Sequence, residues 1–389
     1  MEMTRTFHPV GQGGFFTEVF SVKNSEERFT VAYDVGSNTA DKKYLQEAIG
    51  LVGKVDVVFL SHLHEDHING LSLLLEKKPN LKIIMPVLSI EEQLETALYN
   101  LILSKGTFIV YDKNTLCQAI GIKQEFVFTI AKSDNESDNK DIHTTDIDGS
   151  ENNRVRISYE EVWQYIPYNP NTKSKDLVNA FTKSNDDGIR SILNYQNEEP
   201  YEINIDALKN AFKNSKVLKE TYESVYGKNH NSYSMSVYSG PKKKYIHKWA
   251  KIQGDISARI FSQYCKWAEF TDCFFQKYNE NIPHCLYTGD AELQKNNSCK
   301  LLIKYYSVYW DFIGIIQVPH HGSSNNYNTL LHKASDYEFP IIRLFVISVG
   351  SNNSYGHPSV SVINEIYEND GCLSIITESS VPLSFKYEF

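Results

Sequence analysis

The segment Ser61-His62-Leu63-His64-Glu65-Asp66-His67-Ile68-Asn69-Gly70 places three histidines and an aspartate within six residues. Imidazole and carboxylate are the natural non-sulfur donors for zinc, and a turn lets alternate residues converge on one point. His62 and His64 are spaced to reach one metal while Asp66 and His67 turn toward a second. A lone histidine is usually a packed or surface side chain. Four donors at this spacing are not an accident of composition.

Something rigid has to hold those donors. The segment directly follows Val55-Asp56-Val57-Val58-Phe59-Leu60, a short and mostly apolar strand, so the donors sit at a strand-to-helix junction. The first hundred residues alternate in the same way. Phe15–Val22, Phe29–Tyr33 and Lys82–Met85 read as strands, the last stopped by Pro86, while Leu45–Val52 and Glu91–Leu103 carry helical spacing. Beyond them, Ser133–Asn153 holds seven carboxylates and almost no apolar residue, which predicts a solvated acidic loop. A helix is expected over Asp206–Tyr226. The last 160 or so residues resume the rhythm: Tyr233–Tyr238, Cys285–Thr288, Ile313–Val318 and Ile341–Val349 as strands, Val360–Tyr367 as a helix, and Val381–Phe389 as a closing strand. Two β-rich halves predict two sheets packed together with helices outside.

These residues resemble the metallo-β-lactamase fold superfamily, whose signature is HxHxDH after a strand. Here it stands as His62, His64, Asp66 and His67. Asp34 in Tyr33-Asp34-Val35-Gly36-Ser37 matches the first family motif, an aspartate that buttresses the metal loop. Asp290 in Tyr287-Thr288-Gly289-Asp290 matches the fourth, which bridges two metals, and Val318-Pro319-His320-His321-Gly322-Ser323 matches the fifth. Val10-Gly11-Gln12-Gly13, Asn231-Ser232, and Asn353-Ser354-Tyr355-Gly356-His357-Pro358 after Ser348-Val349-Gly350 narrow the likeness to the ComEC-like competence hydrolase domain and its soluble relatives.

The resemblance implies a four-layer αββα sandwich in one domain, built from residues 1–104 and 227–389 around an insertion at 105–226. It implies two zinc ions, or manganese, held by His62, His64, Asp66, His67, Asp290 and His320. His230 lies near the family's third motif and stands as a further candidate ligand. Asp66 would orient the nucleophile, His357 would assist at the phosphate or leaving group, and His321, Ser323 and Asn353 would meet substrate. Paired metals acidify a shared water and clamp both sides of a displacement. The function so implied is a zinc-dependent phosphodiesterase or nuclease acting on DNA. The alternatives are hydrolysis of a small ester, lactone or phosphocholine, and a binding module without turnover.

Composition sets the outer bounds. With 41% apolar and 22% charged residues over 389 positions, the chain has ample material for a large core. Lys+Arg 39 against Asp+Glu 48 gives −9, which excludes a polybasic nucleic-acid coat but not a local groove. One such run, Lys242–Lys251, interleaves lysines with Tyr245, His247 and Trp249. The acidic insertion could dock a protein partner. None of the six cysteines forms a CxxC pair, so a cysteine-built metal site is not expected. Without an apolar leader or a spanning run, the expected compartment is the cytoplasm, with no membrane contact.

Overall fold

The computed structural model describes residues 2–22, 27–39, 41–103, 109–133, 140–143, 155–159, 162–171, 175–197, 199–214, 216–226, 233–242, 284–338 and 341–388. With strands numbered in chain order, β1 (Glu2–Phe7), β2 (Phe15–Ser21) and β3 (Arg28–Val35) form an antiparallel meander edged by β17 (Leu383–Glu388). From β3, the strands β4 (Val57–Phe59), β5 (Lys82–Pro86) and β6 (Val127–Ile130) continue in parallel, giving the order β17-β1-β2-β3-β4-β5-β6.

The second sheet has the order β16-β15-β14-β13-β12-β9-β8-β7. Its parallel half is β13 (Cys285–Tyr287), β14 (Ile315–Gln317), β15 (Leu344–Ser348) and β16 (Cys372–Ile376). Its other half is β12 (Ser236–Pro241), β9 (Trp163–Tyr168), β8 (Val155–Tyr159) and β7 (Lys140–His143).

Strand period two sorts the side chains into layers. In β4, Val57 and Phe59 face the second sheet, where Trp163, Tyr165, Val237 and Tyr287 close the inner core. Val58, between them, faces outward under Leu45 and Ile49 of α1 (Lys43–Val52), Leu71 and Leu74 of α3 (Leu71–Lys77) and Leu116 of α5 (Lys113–Ile120), past α2 (Glu65–Ile68). On the far side, Leu286, Ile316 and Phe345 pack beneath the helices Asn296–Tyr305, Ser307–Trp310 and Val360–Glu368. The arrangement is helix, sheet, sheet, helix: the four-layer αββα sandwich that the motifs implied.

The segment 105–226, read above as an insertion, divides into two parts. It supplies α5 and β6 to the first half of the sandwich and β7, β8 and β9 to the second sheet. Trp163 and Tyr165 of β9 lie in the inner core. The sequence hides this strand because its six residues, WQYIPY, are all buried despite a glutamine and a proline. Gln164 donates to the Pro241 carbonyl at 3.0 Å, which satisfies it in the interior. Of the acidic stretch 133–153, residues 140–143 form the edge strand β7, and 134–139 and 144–153 lie outside the described residues.

The remainder of that segment builds an accessory lobe on α4 (Ile90–Leu103). It comprises α6 (Asp176–Thr182), α7 (Asp187–Arg190), the hairpin β10 (Leu193–Gln196) and β11 (Glu199–Ile203), α8 (Ile205–Asn214) and α9 (Lys216–Tyr226). Leu94, Leu98 and Leu101 of α4 pack there against Leu177, Phe181, Leu208 and Tyr222. The helix expected over 206–226 is thus two, α8 and α9. Cys117, Cys285, Cys299 and Cys372 are buried and form no disulfide among the described residues; Cys265 and Cys273 lie outside the described residues. Among the described residues no helix is long and apolar enough to cross a membrane.

Candidate metal centre

Parallel strands deliver their carboxyl ends to one edge, and both sheets bring theirs to the same place. Asp34 ends β3, the histidine segment follows β4, Thr288–Asp290 follows β13, His320 and His321 follow β14, and the His357 loop follows β15. The sheets are stitched there by Met235 N donating to the Ser61 carbonyl and by the Tyr33 hydroxyl donating to the Met235 carbonyl, both at 2.7 Å. Close approach of the loops needs glycine. A Cβ on Gly36 would run into the Asp66 carbonyl, and one on Gly289 into Ser61.

Each ligand candidate is tethered from behind. Asp34 is buried, accepting from Ser61 N at 2.7 Å, Ser61 Oγ at 2.8 Å and His67 Nδ1 at 2.8 Å. His62 Nδ1 lies 2.8 Å from Ser61 Oγ and 3.2 Å from Ser234 Oγ, which also accepts from Asp290 N at 2.9 Å. His321 Nδ1 faces the Ser348 carbonyl at 2.8 Å. The Asp34 carboxylate and the Ser348 carbonyl accept only, which puts the proton of His67 and of His321 on Nδ1 and turns Nε2 inward.

The inward atoms are the ones left over. His62 Nε2, His67 Nε2, His321 Nε2 and Asp66 Oδ1 are buried with no hydrogen-bond partner, and Asp290 is buried beside them. They form two groups sharing His67: His62, His67 and Asp290, and Asp66, His67 and His321, the ligand atoms of each within 4.8 Å of one another. Asp290 spans both sides, with Oδ1 3.4 Å from His67 Nε2 and Oδ2 3.9 Å from His62 Nε2 and 3.6 Å from His320 Nε2. Asp66 Oδ2 lies 3.9 Å from His67 Nε2 and 3.7 Å from His321 Nε2. Buried polar atoms without partners are costly, and tethered imidazoles with a free inner nitrogen are how proteins present metal ligands. A divalent cation fits this donor set, and its nitrogen and carboxylate chemistry suits zinc or manganese.

Electrostatics point the same way. Burial works against charge on His67, but Asp290, Asp34 and Asp66 outweigh it and hold the imidazole well above its ordinary range. Burial likewise opposes charge on Asp290, yet His320, His67 and His321 pull it well below the usual carboxylate range. His62, by contrast, is pushed well down by burial and by its histidine neighbours. The carboxylates here demand positive charge, which protons or a cation supply; metal uptake therefore releases protons.

His64 is placed differently. Its Nε2 lies 3.3 Å from Glu95 Oε2 and its ring stacks on Tyr99 at 3.7 Å, leaving Nδ1 to face away from Glu95. Its ring centre is 4.4 Å from that of His62.

His321, taken as substrate-binding, sits inside the buried ligand group, whereas His320, taken as the ligand, stands at the rim with Nδ1 on Asn326 and a side chain 21% exposed. Both histidines and Asp34 have positive φ, at 49°, 56° and 53°. Such backbone costs about 1–3 kcal/mol per residue, and it is what turns two adjacent imidazoles to one side. Asn353 spends its amide within its own loop: Nδ2 donates to the Gly350 and His357 carbonyls, and Oδ1 accepts from His357 N at 3.0 Å. It braces His357 rather than offering itself to substrate. Ser323 is buried, its hydroxyl accepting from Asn325 N at 3.3 Å. His230 and Asn231-Ser232 lie outside the described residues, and Ser234 is the residue found behind His62.

His357 is half-buried, its ring 5.6 Å from that of His320 and 6.2 Å from that of Tyr355. Burial, then His320 and His321, push its pKa down to about 4. The sequence reading missed Glu95, Tyr99, Ser234 and Ser348. The first two are one helical turn apart in Glu91–Leu103, a spacing visible in the sequence but without meaning until His64 is seen against it.

Residues 10–148 match the family described as Anti-Pycsar protein Apyc1. That stretch holds Asp34 and the HxHxDH segment and ends before Asp290 and His320. No curated protein matches the chain. Similar solved structures include unliganded yeast PDE1, 10% identical, covering 100% of this chain and 99% of that one, with a TM-score of 0.40. The metallo-beta-lactamase fold protein YhfI from Bacillus subtilis is 10% identical over 98% of this chain and 99% of that one, with a TM-score of 0.37. Human tRNase Z, short form, is 11% identical over 63% and 65%, with a TM-score of 0.24. The family match falls on Apyc1 and not on the ComEC-like relatives.

Proposed function

We propose that this chain is a metal-dependent phosphodiesterase. His62 and Asp290 would hold one divalent ion, joined by His64, whose ring adjoins that of His62 although it belongs to neither group above, and Asp66, His67, His321 and Asp290 would hold a second. The observation that carries the reading is the convergence of three tethered imidazoles, each with a bare inner nitrogen, on the two buried carboxylates Asp66 and Asp290. When bound, such a pair supplies a water that ionises near neutral pH and stabilises both oxygens of a displacement.

The chain's own groups do the orienting. Asp66 presents one oxygen toward His67 and His321 and keeps another without a partner, placed to fix the direction of attack. Asn326 holds His320 by Nδ1, so that its Nε2 faces Asp290 at the rim. His357, braced by Asn353, stands beyond His320 where a leaving oxygen would emerge; with its pKa pushed down to about 4 the ring is neutral near pH 7, and its role is to donate its N–H hydrogen bond to the phosphate or leaving oxygen there.

The described loops at this edge, residues 10–14, 34–39, 61–70, 288–294, 318–328 and 349–359, contain neither Lys nor Arg. A polymer backbone is normally tracked by cations, so this composition favours a compact phosphodiester over the DNA first expected. The basic run that would serve DNA lies, after Lys242, outside the described residues. The test is metal analysis joined to a substrate panel. About two equivalents of zinc or manganese are expected, with metal-dependent cleavage of a small aryl phosphodiester faster than of single-stranded DNA, duplex DNA, RNA or an aryl ester. No metal uptake after soaking refutes the hydrolase; faster ester cleavage refutes the phosphodiesterase; faster DNA cleavage restores the polymer.

A further inference from the structure

Helix α4 carries a stripe of three residues at successive four-residue steps: Glu91, Glu95 and Tyr99. Glu91 receives Leu177 N on Oε1 and Val178 N on Oε2, both at 2.8 Å, and so holds the start of α6 in the accessory lobe. Glu95, 1% exposed among leucines, receives the Tyr222 hydroxyl of α9 on Oε1 at 3.1 Å and meets His64 Nε2 with Oε2 at 3.3 Å. Tyr99 covers the His64 ring. A carboxylate this deeply buried is tolerable only with partners for its oxygens, and here one partner belongs to the lobe and the other to the histidine segment.

The other imidazoles are held by the sandwich itself: His62 by Ser61 and Ser234, His67 by Asp34, His321 by Ser348. Of these four, His64 takes its tether from the helix on which the lobe is built.

We propose that Glu95 is the positioning residue of His64, and that Tyr222 makes the accessory lobe part of that tether. The proposal rests on the metal-centre reading above. Glu95 fixes the ring so that Nδ1 is the atom offered to a metal, and Tyr222 fixes Glu95. The lobe thereby sets the affinity of one metal position and leaves the Asp66–His67–His321 position alone.

The experiment is zinc titration of the full chain against a competing chelator, with cobalt absorption as a second readout. Glu95→Gln should weaken one zinc about 10–100-fold, the usual cost of losing an outer partner of a metal-bound histidine, and spare the other. Tyr222→Phe should weaken the same zinc about fivefold, in proportion to one neutral hydrogen bond. In both, the cobalt band of one ion should shift. Glu91→Gln cuts the lobe's other tie without touching His64; it should lower the melting temperature and keep both zinc affinities. Wild-type affinity for both ions in folded Glu95→Gln overturns the proposal, as does equal weakening in Glu91→Gln. If Glu95→Gln does not fold, Tyr222→Phe decides on the same terms. A wild-type chain that takes up no zinc brings down the metal-centre reading and this proposal together; two zincs in the wild type and in Glu95→Gln alike bring down this proposal only.

Discussion

Two buried polar clusters lie within this sandwich, and they differ in what their atoms lack. Between the sheets, Arg5 and Glu18 face each other across the β1–β2 pair, 0% and 2% exposed. Glu18 accepts from Arg5 at 2.8 Å, from Tyr165 at 2.7 Å, from Ser239 at 2.7 Å and from Tyr287 at 3.0 Å. Burial alone would depress Arg5, yet Glu18 and its neighbours hold it well above its ordinary value. At the loop edge the burial is the same, but the inner nitrogens of His62, His67 and His321 and Asp66 Oδ1 have no hydrogen-bond partner. Burial does not mark a site. Unspent bonding capacity does.

The strongest way to separate the clusters is to break the closed one. Removing one member of a buried ion pair leaves the other uncompensated and costs about 3–5 kcal/mol. Glu18→Ala should lose that much in urea unfolding, while the folded fraction still takes up its metals, because no Glu18 atom reaches the loop edge. A Glu18→Ala protein with wild-type stability would mean that the pair is incidental to the fold.

Breaking the open cluster should have the opposite profile. Asp66→Ala removes the oxygens facing His67 and His321, and with them the orientation of attack. Turnover should fall at least about a hundredfold, as expected for a misplaced nucleophile, while circular dichroism shows the fold intact. Near-normal turnover in folded protein would move the chemistry away from this edge.

How much of this was legible follows the same division. His62, His64, Asp66 and His67 lie within six residues, so their spacing alone marks a candidate ligand set, and Asp34 and Asp290 join it through the motifs. The inner sheet core was half legible. Val57-Val58-Phe59 reads as a strand, but WQYIPY does not, since Gln164 and Pro167 break the apolar pattern and only the β12 partner explains them. The different settings of His320 and His321 are beyond sequence, because they come from two left-handed backbone angles and from Asn326 standing behind one ring and Ser348 behind the other. Glu95 was invisible for a similar reason: a glutamate on an amphipathic helix reads as surface until the lobe covers it.

His357 sharpens the comparison at the rim, where the edge meets solvent. Its backbone is fixed by Asn353, and its ring stands beside His320 rather than within either ligand group. His357→Ala should keep its metals and lose about a hundredfold on a poor leaving group, the low end of the cost of removing one hydrogen-bond donor to charge that develops in the transition state. On an activated aryl phosphodiester, whose leaving group needs little protonation, the loss should be far smaller. Equal losses would assign the ring to phosphate binding, and loss of metal would make it a ligand.

The smallest effect comes from a histidine that shares one property of each cluster. His284 is fully buried with Nε2 lacking a partner, like the metal-edge imidazoles, but among the described residues no carboxylate converges on it; Nδ1 meets the Tyr238 hydroxyl at 2.7 Å and Phe312 stacks nearby. If unspent capacity needs converging carboxylates to make a site, His284 is only a buried neutral base. Burial, then Arg5, push its pKa from 6.5 down to about 3. The unfolded chain therefore binds a proton between those values that the folded chain refuses. Stability from this group is complete above about pH 6.5 and is lost as pH falls toward 3, at about 1.4 kcal/mol per pH unit. His284→Phe gives up the Tyr238 bond and should cost about 1 kcal/mol at pH 7. It also removes one proton from the transition, so between pH 6 and 4.5 the variant, compared with wild type under chelator, should lose less stability per pH unit. Parallel pH slopes for the two proteins would show that His284 is already charged in the fold, and that an orphaned nitrogen here has found a partner of its own.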